Sequence, residues 1–233
     1  MRTPWLLLGM LSCALAAPAH AEWDLGLYGG ASHTPKSDMT MVIGSASGPA
    51  DHTFHDVKWD PSAEFGMRAG YWFGWYGVGL DVFRFDADIP TQNVNVTIQG
   101  STSPVTLQAI DVAVTAVALD LVRLRYRAFT SERNPNGLLQ PYLTAGPAFF
   151  RTAVTNRGNG ELTMRTGTDT TLGYKLGAGL TWQVLPSTAL FAEYRYTHFR
   201  TEPNLQGTIT GANVPVRFDL NTHHGVIGVS LSF

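Results

Sequence analysis

The sequence has few charged residues and almost no cysteine. Of its 233 residues, 15% are charged and only one, Cys13, is a cysteine, whereas about a quarter of the residues of a typical soluble domain are charged. The formal net charge of −2 is too mild to indicate a nucleic-acid partner. Beyond residue 21, no segment approaches the roughly 18 uninterrupted apolar residues of a membrane helix. A low charge content without such a segment is typical of a membrane β-barrel, whose apolar residues are scattered by alternation.

The first 21 residues have the features of a secretory signal peptide. Arg2 supplies a short positive region, residues 5–17 are apolar, and 19–21 form a small-x-small cleavage site. We therefore expect 1–21 to be removed and 22–233 to form a single barrel domain. Cys13 would be lost with the signal peptide, so the mature chain would need no disulfide in an oxidising compartment.

Eight segments of the mature chain alternate with a period of two, which places successive side chains on opposite faces of a strand. One face is apolar and aromatic, and the other carries glycine, threonine, serine and several charges. In one segment, 110–126, the residues are too uniformly apolar for the phase to be assigned. The eight segments are 23–28, 65–73, 76–82, 110–126, 139–146, 172–182, 190–197 and 227–233.

The connections between these segments are short or of medium length on one side, at 73–76, 130–137 and 184–187. On the other side they are long, at 34–62, 87–109, 154–170 and 200–218. The predicted fold is therefore all-β: an eight-stranded antiparallel transmembrane β-barrel with short periplasmic turns and long extracellular loops. Within the long connections, alternation around Gly100-Ser101 and around 211–213 predicts two hairpins that extend the strands beyond the membrane.

Aromatic residues occur on the apolar face at the end where the short turns lie. Membrane interfaces collect such rings because one end of each is apolar and the other is compatible with water. We expect a periplasmic aromatic girdle, in which the last residue anchors the closing strand. Its members are Trp23, Phe73, Tyr76, Trp182 and Phe233.

Three stretches resemble the outer membrane β-barrel domain family, which includes small eight-stranded barrels such as outer membrane proteins A, W and X. They are FAEYRYTHF at 191–199, LNTHHGVIGVSLSF at 220–233 and LQPYLTAGPAFF at 139–150. The resemblance implies the outer membrane of a Gram-negative bacterium, with outer membrane lipids and lipopolysaccharide around the barrel. It also implies that the outer-membrane insertion machinery reads the aromatic C-terminus.

A narrower resemblance is to barrels called lipid A oxidases, which oxidise the proximal sugar of lipid A. It rests on LYGGASHTPKSDM at 27–39, DVKWDPSAEFGMRAGYWF at 56–73 and GVGLDVFRFDAD at 77–88. This resemblance implies a lipid A-modifying enzyme, but it supplies no catalytic motif that can be transferred residue by residue.

Six charged residues fall on the polar face of the predicted strands. Because an unpaired buried charge is costly, we expect them to pair inside the lumen and fill it. The alternative is a polar catalytic or conducting site. The six residues are Glu64, Arg68, Asp81, Lys175, Glu193 and Arg195.

Two histidine pairs are candidate polar sites. His52 and His55, flanked by Asp51 and Asp56, could bind a divalent metal in the first long connection. Their spacing matches no recognised metal site, so we predict neither a metal nor another cofactor. In the second pair, the alternation places His224 inward and the preceding histidine outward at the barrel rim.

Three functions remain open at this point. The first is a non-enzymatic outer membrane barrel with a structural or surface-interaction role, whose loops could bind an extracellular ligand. The second is the lipid A oxidase alternative. The third is a small-solute channel, which the interior charges of an eight-stranded lumen disfavour.

Overall fold

The computed structural model describes residues 21–45, 48–132, 136–156, 164–165, 167–207 and 213–233. The predicted signal peptide up to residue 20 and the predicted turn residues 211–212 lie outside these ranges. Across the described residues, no helix has the length and apolar character needed to cross a membrane. The described residues form fourteen strands: β1 Ala21–His33, β2 Ser37–Ser45, β3 Gly48–Val57, β4 Ser62–Phe73, β5 Tyr76–Asp86, β6 Gln92–Ile98, β7 Ser101–Leu107, β8 Ile110–Arg125, β9 Leu139–Asn156, β10 Met164–Arg165, β11 Gly167–Leu185, β12 Thr188–Thr201, β13 Asn204–Gly207 and β14 Asn213–Ser232.

Eight of these strands form a closed antiparallel ring, in the order β1-β4-β5-β8-β9-β11-β12-β14. β14 pairs with β1 from Asp24↔Ser232 to His33↔His223 and so closes it. The backbones of Trp23 and Phe233 exchange two hydrogen bonds, of 2.9 and 3.1 Å, at the end of this seam. Because the ring is closed, none of its eight strands has an unpaired edge. A β-sheet in the hydrocarbon of a bilayer must be closed in this way, since no water is present there to bond free backbone groups. The predicted all-β, eight-stranded ring is thereby confirmed.

Tight turns join neighbouring strands at the end of the ring where β1 begins and β14 ends. Gly74 takes the left-handed conformation, with φ of 76°, in the turn from β4 to β5, and two residues separate β11 from β12. All five predicted girdle aromatics lie at this end. Trp23, Trp182 and Phe233 are exposed, and Phe73 and Tyr76 are half-buried.

A second sheet extends the ring at its other end and is called the cap here; it consists of β2, β3, β6 and β7. Val216, Arg217 and Phe218 of β14 pair with 39–41 of β2, and β3, β6 and β7 follow in order. The predicted hairpin around Gly100 is present as β6–β7, but it pairs with β3 in the cap and does not extend the barrel strands β5 and β8, contrary to that prediction. The β2–β3 hairpin, within the connection 34–62, was not predicted. In the other predicted hairpin β13 pairs with β14, and its turn lies outside the described residues.

The apolar face of the barrel strands changes sides along their length. On β9, Leu143 and Phe149 point outward and are exposed, whereas Phe150 and Val154 point inward and are buried. Of the three outward positions beyond Phe149, Arg151 and Thr155 are polar and the third is the small Ala153. The apolar outward positions define a lipid-facing band, whose height fits the roughly 9–11 residues that a strand needs to cross a membrane. Above this band, the outer face of the barrel meets water.

β8 combines this change with a bulge. The register shifts between Ala118 and Val122, so that both Leu121 and Val122 are exposed. The phase of 110–126 could not be assigned from the sequence because the bulge and the change of face both interrupt the alternation.

Candidate functional site

Three regions could carry a function: the lower lumen, the upper lumen and the cap. The lower lumen contains a charged layer of six acidic and five basic buried side chains among the described residues: Glu22, Asp24, Glu64, Arg68, Asp81, Asp120, Arg123, Arg125, Lys175, Glu193 and Arg195. The upper lumen contains an aromatic layer, whose largest members are Phe83, Phe85, Phe150 and Phe199.

The periplasmic end of the charged layer contains two ion pairs stacked on one indole ring. Arg125 contacts Glu22 at 2.7 Å, and Arg123 contacts Asp24 at 2.8 Å. Both guanidinium carbons lie 4.4 Å from the centre of the Trp72 ring. The indole therefore fills the space between the pairs and also attracts both cations through its ring face.

Arg195 lies at the centre of the charged layer and is fully buried. Its guanidinium contacts Glu193 at 3.0 Å, Glu64 at 3.1 Å and Asp81 at 3.3 Å. It also donates a 2.7 Å hydrogen bond to the Tyr28 hydroxyl. One guanidinium is thus shared by three carboxylates, two of which have a second cation in Lys175 or Arg68.

Lysine and tyrosine side chains extend this network across the lumen. The Lys175 amine contacts Asp81 at 2.6 Å and Asp120 at 2.8 Å. The Tyr142 hydroxyl donates to Glu193 at 2.8 Å and accepts from Arg68 at 2.9 Å. These bonds join strands on opposite sides of the ring, so the charged layer also links the barrel wall across its interior.

Inward-facing glycines leave room for the long charged side chains. A Cβ atom at Gly70 would overlap the Arg123 guanidinium, and one at Gly26 would lie 3.1 Å from the Arg68 side chain. At Gly70 a larger residue would displace the Arg123–Asp24 pair, whereas at Gly26 the Arg68 side chain would have to shift slightly.

All six charged residues singled out in the sequence lie in the charged layer. Five others were missed: Glu22, Asp24, Asp120, Arg123 and Arg125. Asp24 could have been found, because it alternates with Trp23 and Leu25. The last three lie on β8, whose bulge hides the phase.

The aromatic layer begins where the charged layer ends, at His224. Its Nδ1 lies 2.6 Å from Glu64 Oε2, and its Nε2 lies 2.9 Å from the Thr197 hydroxyl. The ring packs edge-on against Phe85, with 4.9 Å between centroids. Above it, Phe150 and Phe199 stack with 4.0 Å between centroids. His224 therefore points inward, and its polar atoms face the charged layer.

The side chains of the two layers are buried among the described residues. A cavity of about 20 Å³ lies at the periplasmic end, beside Trp72 and Arg125, and this is close to the space of a single water molecule. The ion pairs around this cavity link the strands of the wall across the lumen.

The cap and the adjoining strand ends contain two larger cavities. A polar cleft of about 500 Å³ includes Arg200, which contacts Asp219 at 2.9 Å, and Arg217, which contacts Glu202 at 3.0 Å. An apolar pocket of about 270 Å³ lies between β2, β3, β6 and β7, lined by Met41, His52, Phe54, Val96, Ile98, Val105 and Leu107.

Asp169 organises one side of the polar cleft. Its carboxylate accepts the backbone N–H of Glu202 at 2.8 Å, that of Thr170 at 2.8 Å and the Thr201 hydroxyl at 2.9 Å. Burial raises the pKa of Asp169, but these three donors outweigh it and hold the pKa below its usual value.

The metal candidates His52 and His55 lie on β3 and point in different directions. His52 lines the apolar pocket, whereas His55 places Nδ1 3.1 Å from Asp38 and Nε2 3.0 Å from Thr97. This geometry does not bring the two imidazoles together around one ion. Among the described residues, no group of three or more His, Cys, Asp or Glu could hold a metal.

A cluster of rings lies on the outer wall of β12 and β14. The Tyr194 hydroxyl is 2.6 Å from His223 Nδ1, and the Tyr196 hydroxyl donates to Asn221 Oδ1 at 2.6 Å. His198 Nδ1 is 2.8 Å from the same oxygen. The polar atoms of this cluster bind one another near the outer rim, as interfacial aromatic residues do.

The profile of the family described as outer membrane protein beta-barrel domain matches residues 5–233. The chain belongs to this family. It is therefore a protein of the outer membrane of a Gram-negative bacterium, surrounded by membrane lipids. A search of curated proteins found no match.

Solved structures of outer membrane proteins are similar to this chain in fold. OprG from Pseudomonas aeruginosa superimposes with a TM-score of 0.57 at 15% identity, over 92% of this chain and 97% of that chain. Neisserial surface protein A gives a TM-score of 0.49 at 14% identity, over 92% and 99%. The similarity to OprG shows the fold of a small outer membrane barrel.

Proposed function

We propose that this protein is a non-enzymatic, non-conducting outer membrane barrel whose cap carries a structural or surface-interaction role in the envelope. The observation that supports the proposal most directly is the cap itself, a folded sheet that continues from β14 above a filled lumen. A filled lumen favours neither a channel nor an internal substrate site.

The cap has the packing of a folded unit. Trp59 packs edge-on against Phe218, with 5.5 Å between centroids, and its indole N–H donates to Ser37 Oγ at 3.0 Å. Met39 and Val57 are fully buried beside them. A surface held in this way keeps its shape when free, so a ligand would not have to order it on binding.

We assign the binding of an extracellular ligand to the side chains that line the polar cleft. The last strand of the cap, β7, is short and contains Pro104, which has no N–H to offer. Strand addition at that edge is therefore disfavoured. The cleft presents Arg200, Arg217 and several carboxylates, which suits a charged or strongly polar ligand.

The same proposal assigns an anchoring role to the lower aromatic residues. Trp23, Trp182 and Phe233 are exposed on the outer wall at the short-turn end, where the periplasmic headgroups would lie. Phe233 would place the closing strand at that level.

Neutralising the two arginines of the polar cleft tests the proposal. In one variant, Arg200→Gln and Arg217→Gln together remove both positive charges from the cleft. Cells that lack the native gene would express it or the wild type, and both would be exposed to a panel of immobilised matrix proteins and of neutral and sulfated glycans. We expect at least one probe to retain wild-type cells and to lose the variant. Equal retention on every probe would contradict the proposal, provided that both proteins show the gel shift of a folded barrel.

The lipid A oxidase alternative predicts a different result. A mass spectrum of lipid A from cells with and without the protein would show a change of one oxygen if the protein oxidised lipid A. We expect identical spectra. A protein-dependent oxygen would overturn the non-enzymatic assignment.

A further inference from the structure

Two arginines and a threonine form a row on the outer wall, on three neighbouring strands. Arg84 of β5 lies directly opposite Thr115 of β8, and Thr115 lies directly opposite Arg151 of β9. All three side chains are exposed. Because neighbouring strands lie about 4.8 Å apart, the two arginine backbones are separated by about 10 Å with the threonine between them.

Neither arginine has an anionic partner among the described residues. This separates them from the arginines of the polar cleft, since Arg200 contacts Asp219 and Arg217 contacts Glu202. Asp86, the next outward residue after Arg84 on β5, lies farther from the lipid-facing band and forms no ion pair with it within the described part of the chain. Two like charges placed side by side without a counter-ion are suited to an anion from outside the protein.

The row lies at the upper edge of the lipid-facing band. On each of the three strands, the next outward residue toward the periplasm is apolar. These residues are Val82, Val117 and Phe149, and the last two are exposed. Arginine and threonine at this level reach the headgroups of the outer leaflet, and the arginine stems can lie along the apolar wall.

We propose that Arg84, Thr115 and Arg151 form a binding site for the phosphate groups of the glycolipid that fills the outer leaflet. Each guanidinium can donate two parallel hydrogen bonds to a phosphate, and the Thr115 hydroxyl can donate one between them. The apolar wall directly below would contact the acyl chains of the same molecule. That contact distinguishes a lipid phosphate from free phosphate, which would gain nothing from Val117 or Phe149.

Native mass spectrometry of the full-length protein in detergent tests the site. The probes are bis-phosphorylated lipid A and the same lipid A after enzymatic dephosphorylation. The test variant is R84Q/R151Q, and R84K/R151K keeps the charges. K36Q/K58Q is the matched control, because it removes the same charge from exposed positions at 36 and 58, away from the row.

We expect the wild type and K36Q/K58Q to retain the phosphorylated lipid in preference to the dephosphorylated one. R84Q/R151Q should bind the phosphorylated lipid about tenfold more weakly and lose the preference, while R84K/R151K keeps part of it. Equal binding of both lipids by the wild type would overturn the proposal. So would an unchanged preference in R84Q/R151Q, or an equal loss in the control. If inorganic phosphate at the concentration of the lipid displaced it, the site would belong to free phosphate instead.

Discussion

Within one ring of strands, the lumen at the level of the membrane holds charged side chains, and the lumen above it holds aromatic ones. The same strands supply both layers: β9 contributes Tyr142 to the first and Phe150 to the second. What differs is the medium outside the wall. Where lipid covers the outer face, apolar residues are needed there and the polar ones turn inward. Where water covers it, the apolar residues turn inward, as in a soluble domain.

The two layers are expected to stabilise the barrel in different ways. Aromatic burial removes apolar area from water and contributes directly. Buried ion pairs recover little more than their desolvation cost, yet breaking one leaves an uncompensated charge. The charged layer should therefore be sensitive to the loss of one partner, and the aromatic layer to the loss of volume.

The largest effect should follow removal of the central guanidinium. Arg195→Met leaves Glu64, Asp81 and Glu193 without their shared cation, so we expect a loss of about 3–5 kcal/mol in the free energy of unfolding. Urea unfolding in lipid vesicles measures it. The control is Arg200→Met on the same strand, whose side chain is 79% exposed in its pair with Asp219; it should change stability by no more than about 1 kcal/mol. Equal losses in the two variants would refute the distinction between buried and exposed pairs.

Loss of volume in the aromatic layer should come next. Phe150→Ala removes a fully buried ring that stacks on Phe199, and we expect it to cost about 3 kcal/mol, since a cavity remains. Phe149→Ala, one residue earlier, removes a half-exposed, lipid-facing ring. Lipid can fill the gap, so the cost should be about half as large. The same unfolding assay compares them, and a larger cost at 149 would contradict the assigned orientation of β9.

A single hydroxyl in the charged layer should have a smaller effect. Tyr142→Phe removes the bond donated to Glu193 and the acceptor for Arg68. The partners remain buried, so we expect a loss of about 1–2 kcal/mol. Tyr126→Phe, at an exposed ring, serves as the control and should change stability very little. If the two substitutions had the same effect, the hydroxyl would not be part of the network.

The smallest effect should be confined to the polar cleft and should depend on pH. The folded-state pKa of Asp169 is lowered by its three donors, so its contribution is present above the usual pKa of an aspartate and is lost as the pH falls below it. We expect the amides of Thr170 and Glu202 to lose protection from hydrogen exchange, after correction for the intrinsic rate, as the pH falls below about 4. In Asp169→Asn this pH dependence should disappear. Persistence of the loss in that variant would assign it to another group.

The barrel could be predicted from the sequence because its alternation is strict where lipid meets the wall. Segments 139–146 and 172–182 show this in full. The assignment of inward and outward residues failed where a bulge or a change of the surrounding medium also affected the alternation. On β8 the bulge and the change of medium hid Asp120, Arg123 and Arg125. The cap hairpin β2–β3 was missed because its pairing depends on β14, which lies far away in sequence. The partners in the charged layer could not be predicted either, since they join opposite sides of the ring.

Conductance across a planar lipid bilayer tests the central claim, that the charged and aromatic layers together fill the lumen. The wild-type protein would be inserted after its folded state has been verified by the shift between unboiled and boiled samples on a denaturing gel. We expect no steady conductance above that of the bare bilayer. A reproducible single-channel conductance of the folded wild type would contradict it and would make the lumen, not the cap, the functional part of the molecule.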